Sequence, residues 1–152
     1  MSKVLILIGS KSDNKYADKT SGVLKDFGIE HDVVISSAHR QPEKTQKLTA
    51  DAESNGYSVI IAMAGYSAAL PGVASSHSKL PVIGVPLPTS DLKGVDSILS
   101  IAQMPGGVPV ASMGIGMAGA KNAAFFALRI IALNDSILHN KLSEFIENQT
   151  KG

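Results

Sequence analysis

The stretch "VVISSAHRQPEK" (33–44) sets a titratable ring beside a permanent cation, just where an apolar run ends. The imidazole of His39 can carry a proton at neutral pH, and the guanidinium of Arg40 can clamp an anion. A single histidine in a loop is more often a solvated side chain that takes no part in chemistry. These two residues therefore predict a site only if the fold brings an anion-binding element next to them.

The segment "GSKSD" (9–13), which follows the first apolar run, offers such an element. Gly9 lets the chain turn tightly, and Ser10 and Ser12 provide hydroxyl groups. A helix that begins near Asp13 would leave free backbone N–H groups at this point, and these can hold a phosphate. Serine and aspartate are also the commonest N-cap residues, so the residues alone support a simple helix cap equally well.

The segment "AGYSAALPG" (64–72) follows the third apolar run and consists mainly of small residues. Small side chains allow a ligand to approach the backbone closely, and Pro71 suits an early turn of a following helix. The remaining histidines are predicted at a strand start, near a helix end and on an amphipathic helix, away from these segments. We therefore assign no role to His31, His77 and His139.

Five apolar runs, most of them rich in β-branched residues, are the candidate strands that position these segments: 4–9, 31–36, 58–65, 80–86 and 108–112. Most runs are continuous rather than alternating, which is typical of parallel strands covered on both faces. Helical segments lie between them, among them 13–27, which Gly28 ends, and 42–55, which Pro42 opens and Gly56 ends. The alternation predicts a doubly wound α/β domain with helices on both faces of a parallel sheet.

In such a sheet, ligands bind at the carboxyl ends of the strands, and the first two strands are neighbours in the common strand orders. The loop with His39 would then lie beside the loop with Ser10. Arg40 could clamp an anion held by the first loop, and the imidazole would be within reach of the same ligand.

Two helices are predicted near the end of the chain. Segment 118–133 confines its polar side chains to an arc of about 100° that also contains Phe125, so it is buried on more than one side. A central core helix and a subunit interface explain this pattern equally well. Segment 135–148 carries one apolar stripe under an Asp135 or Ser136 cap, and it should pack by a single amphipathic face.

Bulk composition limits the possible classes of protein. The 152 residues suit a single domain, 1–152, and without cysteine neither a disulfide framework nor a thiolate metal cluster can form. The 14 basic and 13 acidic residues form no basic block, so a nucleic-acid partner is not expected. The apolar runs are too short to span a bilayer, and no signal peptide is evident at the N-terminus. We expect a cytoplasmic protein that binds no membrane and no metal.

The segment "GIGMAG" (114–119) matches the G-x-G-x-x-G dinucleotide fingerprint literally. No later strand ends in the acidic residue that would bind a ribose, and Asp135 is a helix cap instead. We interpret the segment as a tight turn between a strand and a helix.

Six motifs occur in order along the chain: "GSKSD", "SSAHRQP", "AGYSAALPG", "PVIGVP", "GVDSILSIAQMPGGVPVA" and "GAKNAA". Together they resemble the N5-carboxyaminoimidazole ribonucleotide mutase family, also described as the catalytic subunit of phosphoribosylaminoimidazole carboxylase. The resemblance covers about residues 3 to 133. Any one motif would be weak evidence, whereas the six together are highly specific.

This resemblance implies a flavodoxin-like, three-layer αβα fold with about five parallel strands, assembled as a homo-octamer. It implies a step of purine biosynthesis in which a carboxylate moves from N5 to ring carbon C4 of a ribonucleotide monophosphate. The outline is loss of CO2, its recapture at carbon and removal of the C4 proton, without metal or organic cofactor. It also implies a functional link to the ATP-dependent synthetase that makes the substrate.

The resemblance assigns roles to individual residues. His39 matches the general acid/base of the S-A-H-R motif. The phosphate and ribose contacts map onto Ser10, Asp13 and Arg40. Further residues line the same site by their positions: Ser12, Ser37 and Ala38. Residues of the third segment match the loop that covers the carboxylate and CO2 pocket: Gly65, Ser67, Ala68 and Leu70.

The third segment departs from the family pattern, G-G-A-A-H-L-P-G. Tyr66 replaces the second glycine, Ser67 an alanine and Ala69 the histidine, which leaves His39 as the one histidine at the predicted site. Two alternatives follow: a direct carboxylase that uses free CO2 and aminoimidazole ribonucleotide, or a divergent nucleotide-binding paralogue without turnover. Carboxylases typically have lysine after the histidine and an R-S-N loop, so Arg40 and "LPG" favour the mutase.

Overall fold

A computed structural model describes residues 2–152. A single parallel sheet runs through these residues in the order β2-β1-β3-β4-β5. Its strands are β1 (Lys3–Ile8), β2 (Glu30–Ile35), β3 (Tyr57–Ala64), β4 (Val82–Pro86) and β5 (Ala111–Ser112). This strand order is that of the flavodoxin-like fold, which confirms the predicted fold class.

The helices are α1 (Asn14–Asp26), α2 (Pro42–Ala50), α3 (Leu70–His77), α4 (Val95–Ala102), α5 (Met117–Ala132) and α6 (Ser136–Thr150). A short 3₁₀ helix, Lys11–Asp13, leads into α1. Helices α1, α5 and α6 contribute to the hydrophobic core on one face of the sheet, and α3 and α4 contribute to the core on the other. Helix α2 packs beside α3. None of the helices in residues 2–152 combines the length and the hydropathy needed to cross a membrane.

Alternate residues of the interior strand β1 point to opposite faces. Val4 and Ile6 belong to the core beneath α1 and α5, whereas Leu5 and Leu7 belong to the core on the opposite face. Complete burial of each such side chain stabilises the fold by about 1.5–3 kcal/mol. Strand β2 is different because it lies at the edge of the sheet, and Val33 remains 41% exposed. The expected coverage on both faces therefore holds for the central strands and is wrong for β2.

The fifth strand is shorter than the predicted 108–112. It pairs with β4 only at Ala111 and Ser112. The preceding residues form a turn, in which Gly107 has φ +89° and the Val108 N–H donates to the Pro105 carbonyl oxygen at 3.2 Å. Pro109 has no N–H to offer to a neighbouring strand. Pairing consequently begins only after this proline.

One side of helix α5 packs against other elements of the same chain. The ring of Phe125 stacks on Phe145 of α6 with 4.6 Å between centroids, and Phe27 meets both rings edge-on at 5.8 Å. The Asp135 carboxylate caps α6 by accepting from the Leu138 N–H at 3.0 Å. These contacts favour the core interpretation for Phe125, and Leu138 and Leu142 of α6 are buried on the same side.

Candidate active site

The carboxyl ends of β1, β2 and β3 open into one cleft with a volume of about 820 Å³. All eleven site residues predicted from the sequence line it: Ser10, Ser12, Asp13, Ser37, Ala38, His39, Arg40, Gly65, Ser67, Ala68 and Leu70. Strands β2, β1 and β3 are adjacent in the sheet, so their loops meet although they are far apart along the chain.

The first loop caps a short helix and also forms part of the cleft wall. Ser10 is extended, with φ −154° and ψ 157°, and caps the 3₁₀ helix. Its Oγ accepts from the Ser12 N–H at 3.4 Å and from the Ser12 hydroxyl at 3.0 Å. The two interpretations of "GSKSD" are therefore compatible, and the loop presents hydroxyl groups beside the start of a helix, as anion sites do.

Asp13 is a nearly buried acid in this loop, with 6% of its surface exposed. Burial raises the pKa of its carboxyl group, and this effect outweighs the opposing influence of the Ser10 backbone and of the positive charges of Arg40 and Lys15. A carboxyl group repels a phosphate but can accept a hydrogen bond from a ligand hydroxyl. The neighbouring positive charges of Arg40 and Lys15, by contrast, attract an anion.

Arg40 ties the second loop to the first. Its Nη2 donates to the Gly9 carbonyl oxygen at 3.2 Å, and its Nε donates to Ser37 Oγ at 3.3 Å. The strand beneath is fixed where the Ser36 N–H donates to the Ile8 carbonyl oxygen at 2.8 Å. The buried Ser36 hydroxyl also meets Thr45 Oγ1 of α2 at 2.7 Å.

His39 follows this anchored segment and lies on the cleft wall, with an exposed side chain. Within residues 2–152 its imidazole makes no hydrogen bond, unlike the ring of His31, which meets the Ile29 carbonyl oxygen at 3.0 Å. Both ring nitrogens of His39 are therefore open to a ligand in the cleft. An imidazole exposed in a cleft can exchange a proton with a bound ligand.

The third loop forms a close-fitting wall of small residues. A Cβ added at Gly65 would lie 1.8 Å from Thr89 Oγ1, so the backbone there packs against the loop that follows β4. Ala68 and Leu70 are each 2% exposed. Pro71 stands in the first turn of α3, as predicted. Tyr66 and Ser67 are exposed, so the buried apolar part of this wall consists of Ala68 and Leu70.

Some residues of the cleft were not predicted from the sequence: Lys15, Tyr16, Pro88 and Thr89. Thr89 could have been predicted, because β4 ends at the same edge of the parallel sheet as β1, β2 and β3, and the segment that follows β4 therefore begins beside the other three loops. A signal for Lys15 existed as well, because a cation in the first turn of a helix opposes the helix dipole and suggests another role.

The "GIGMAG" segment is a tight turn outside this cleft. A Cβ at Gly119 would lie 1.7 Å from the Gly114 carbonyl oxygen, and Gly116 has φ +81°. The glycines thus permit α5 to begin directly against the preceding loop. This agrees with the interpretation as a strand-to-helix turn.

Comparison with known proteins identifies the family. The family model of AIR carboxylase matches residues 3–152. An N5-carboxyaminoimidazole ribonucleotide mutase of Saccharolobus solfataricus is 48% identical over 148 residues, which are 97% of this chain and 92% of that protein. The mutase of Escherichia coli K12 is 44% identical, over 97% of this chain and 88% of that protein.

Solved structures agree with these matches. A crystal structure of Treponema denticola PurE has a TM-score of 0.90 at 33% identity, covering 99% of this chain and 93% of that chain. The family predicted from the six motifs is confirmed at levels of identity and coverage that leave no large part of the chain unmatched. The chain belongs to the AIR carboxylase family, among relatives that are N5-carboxyaminoimidazole ribonucleotide mutases.

Proposed function

We propose that this enzyme isomerises N5-carboxyaminoimidazole ribonucleotide to 4-carboxy-5-aminoimidazole ribonucleotide, a step of purine biosynthesis, with His39 as general acid/base. The observation that carries the proposal is the meeting of three loops in one cleft. These loops supply an exposed imidazole, a set of anion-binding groups and a wall of small residues. Each corresponds to one requirement of the reaction.

The ribonucleotide monophosphate needs an anion site. The first loop lines the cleft with the hydroxyl groups of Ser10 and Ser12 and with the start of a helical segment. The cations Lys15 and Arg40 line the same cleft. Phosphate is stabilised by such hydroxyl groups and by charge-assisted hydrogen bonds from guanidinium. The Asp13 carboxyl group is then free to bind a ribose hydroxyl.

The carboxylate needs a dry pocket, because CO2 is released before it is recaptured. The bond between N5 and the carboxylate carbon breaks, and N5 takes a proton from the His39 imidazolium. Carbon C4 then forms a bond to CO2, and the C4 proton returns to the imidazole, so the histidine ends in its starting state. The buried side chains of Ala68 and Leu70 support retention of the neutral gas between these steps.

In the direct test, purified protein is incubated with N5-carboxyaminoimidazole ribonucleotide without ATP, and formation of the C4 isomer is measured. We expect turnover by the natural chain and a loss of about 10²- to 10⁴-fold in His39→Asn, the range of general acid/base catalysis. His139→Asn is the matched control, because that exposed histidine lies on α6 outside the cleft. Full activity in His39→Asn would refute the assigned role.

Direct carboxylation of aminoimidazole ribonucleotide is the second candidate. The observation in its favour is Ala69, which lines the cleft where the mutase motif has histidine. A carboxylase depends on added bicarbonate and uses the ribonucleotide that lacks a carboxylate. Conversion of that ribonucleotide at a rate that rises with bicarbonate, without turnover of the N5-carboxylated substrate, would select this candidate.

The location, the assembly and the substrate supply of the enzyme are also part of the proposal. We propose a cytoplasmic homo-octamer that receives its substrate from an ATP-dependent synthetase. Exposed apolar side chains support association of copies of this chain: Leu92, Val95, Leu99, Leu133 and Ile137. Light scattering is expected to give about eight times the chain mass of 15.8 kDa. A monomer would contradict this part of the proposal alone.

A further inference from the structure

Tyr66 has a backbone conformation that large side chains rarely adopt. Its φ of +55° lies in the left-handed region, where glycine is the ordinary choice, and Lys93 is the one other non-glycine residue of residues 2–152 with a positive φ. A bulky residue held there is a conformational outlier that often marks a functional site. The resembling family motif has glycine at this position, so the conformation itself does not require an aromatic side chain.

The neighbours of Tyr66 determine this conformation. Gly65 is packed against Thr89 so closely that it has no space for a Cβ. On the other side, the Ala68 N–H donates to the Tyr66 carbonyl oxygen at 2.9 Å. The backbone is thus held at both ends, and Tyr66 lies on the border of the cleft.

The ring itself has no role in holding the fold together. It is 63% exposed, and among residues 2–152 neither its hydroxyl group nor its aromatic face has a hydrogen-bonded or stacked partner. The other aromatic residue of the cleft, Tyr16, is buried at 6% exposure. Tyr66 is therefore the one exposed phenol ring among the described residues of the cleft, and it belongs to the loop proposed to lie over the reacting part of the substrate.

We propose that Tyr66 is a substrate-binding residue whose ring packs against the flat imidazole ring of the ribonucleotide. The inference rests on the proposed function, because that function supplies a planar heteroaromatic ligand. Stacking between a nucleic-acid base and an aromatic side chain is worth about 5- to 150-fold in affinity. The phosphate and ribose are held by the first two loops, so the contribution of Tyr66 is confined to the ring of the ligand.

The test measures binding by calorimetry, which does not require turnover. Aminoimidazole ribonucleotide and ribose 5-phosphate are each titrated into the natural chain, Tyr66→Phe and Tyr66→Gly. We expect Tyr66→Gly to weaken binding of the ribonucleotide by about 5- to 150-fold and binding of ribose 5-phosphate by less than about twofold. Tyr66→Phe keeps the aromatic face and is expected to bind both ligands as the natural chain does.

Each other outcome overturns the inference in a distinguishable way. Unchanged affinity of Tyr66→Gly for the ribonucleotide would show that the ring makes no contact, while isomerisation by the natural chain would leave the proposed function intact. Equal weakening for both ligands would mean that position 66 acts through the shape of the loop. A loss in Tyr66→Phe would assign the contact to the hydroxyl group. A natural chain that binds neither ligand would contradict the proposed function as well.

A thermal melt separates binding from folding in these variants. Glycine adopts a φ of +55° without steric cost, so Tyr66→Gly is expected to melt at or above the temperature of the natural chain. Weaker binding in a variant that is at least as stable cannot be attributed to unfolding. A lower melting temperature combined with equal weakening for both ligands would count against the inference.

Discussion

Arg40 reaches across from the second loop to the backbone of the first, where its Nη2 donates to the Gly9 carbonyl oxygen at 3.2 Å. The same guanidinium donates from Nε to Ser37 Oγ in its own loop. This side chain thus links the two loops that the proposed reaction needs together, in addition to the pairing of their strands. Its remaining N–H groups are available to an anion.

The first prediction concerns Arg40→Lys. Lysine keeps the charge but cannot reproduce the planar fork that joins Gly9 and Ser37. We expect KM for the ribonucleotide to rise by about 10- to 100-fold, the equivalent of about 1.5–3 kcal/mol for hydrogen bonds to a charged group. The change in kcat should be small, because the phosphate is held equally in the ground and transition states.

Lys44→Ala is the control for Arg40→Lys. The Lys44 ammonium group donates to the Ile35 carbonyl oxygen at 2.7 Å, but the residue is exposed and does not line the cleft. Steady-state kinetics should give this variant the KM of the natural chain. If Arg40→Lys also kept that KM, the assignment of Arg40 to the substrate would be wrong.

The second prediction concerns Gly65→Ala. The new Cβ would lie 1.8 Å from Thr89 Oγ1 and 3.2 Å from Thr89 Cβ, so the Thr89 side chain or one of the two loops must move. We expect the free energy of unfolding to fall by about 1–3 kcal/mol, the usual cost of an overpacked site. Urea denaturation measures this change. Activity should fall further than stability requires, since the displaced loop borders the cleft.

Two variants test the cause of that effect. In Gly22→Ala the new methyl group meets no atom within 4 Å, so this change inside α1 should stabilise the fold by about 0.5–1 kcal/mol. In the double variant Gly65→Ala with Thr89→Ala, the 1.8 Å contact is absent. The double variant should therefore lose less stability than the sum of the two single variants. Simple additivity would show that the contact is not responsible.

The third prediction concerns the pH dependence of folding stability at Asp13. Burial raises the pKa of this carboxyl group above the ordinary value of 3.8, so the folded state retains the proton to higher pH than the unfolded state. Stability from this group is therefore full below pH 3.8 and is lost as pH rises through the folded-state pKa. Above that pH, Asp13→Asn should be the more stable protein, and below it the difference should shrink.

Asp32 provides the opposite case for the same experiment. Hydrogen bonds from Lys3, at 2.6 Å, and from Tyr57 lower the pKa of its carboxyl group, so its contribution is present above pH 3.8 and lost as pH falls through the folded-state pKa. Asp32→Asn should thus be less stable than the natural chain at neutral pH. Urea denaturation from pH 3 to 7 compares both variants. Parallel curves for the two would contradict the assigned directions.

The site could be predicted from sequence to the extent that it depends on where strands end. Continuous apolar runs placed His39, Ser10 and Gly65 after consecutive strands, and parallel pairing then requires their loops to share an edge. Thr89 is also placed by this rule but carries no unusual composition to attract attention. The tight fit of Gly65 against it is a contact between two loops, and no local pattern encodes such a distance.

Other features depend on the surroundings of a residue rather than on its neighbours in sequence. The apolar arc of segment 118–133 did not distinguish burial within the chain from burial between subunits, and the stacking of Phe125 on Phe145 resolves this only for that ring. Strand β5 is shorter than predicted because Pro109 cannot donate a backbone hydrogen bond. The apolar pattern of 108–112 predicted a longer strand because it took no account of this proline. The exposure of Val33 follows from the position of β2 at the edge, which the strand order alone reveals.

The adjacency of β2, β1 and β3 has a consequence for how binding arises during folding. Residues 10, 39 and 66 are separated by roughly thirty positions each, and they become neighbours only through pairing between strands. A peptide that carried one or two of these loops would hold no nucleotide pocket. Refolding experiments should accordingly recover ligand affinity together with the central sheet, as a single cooperative event.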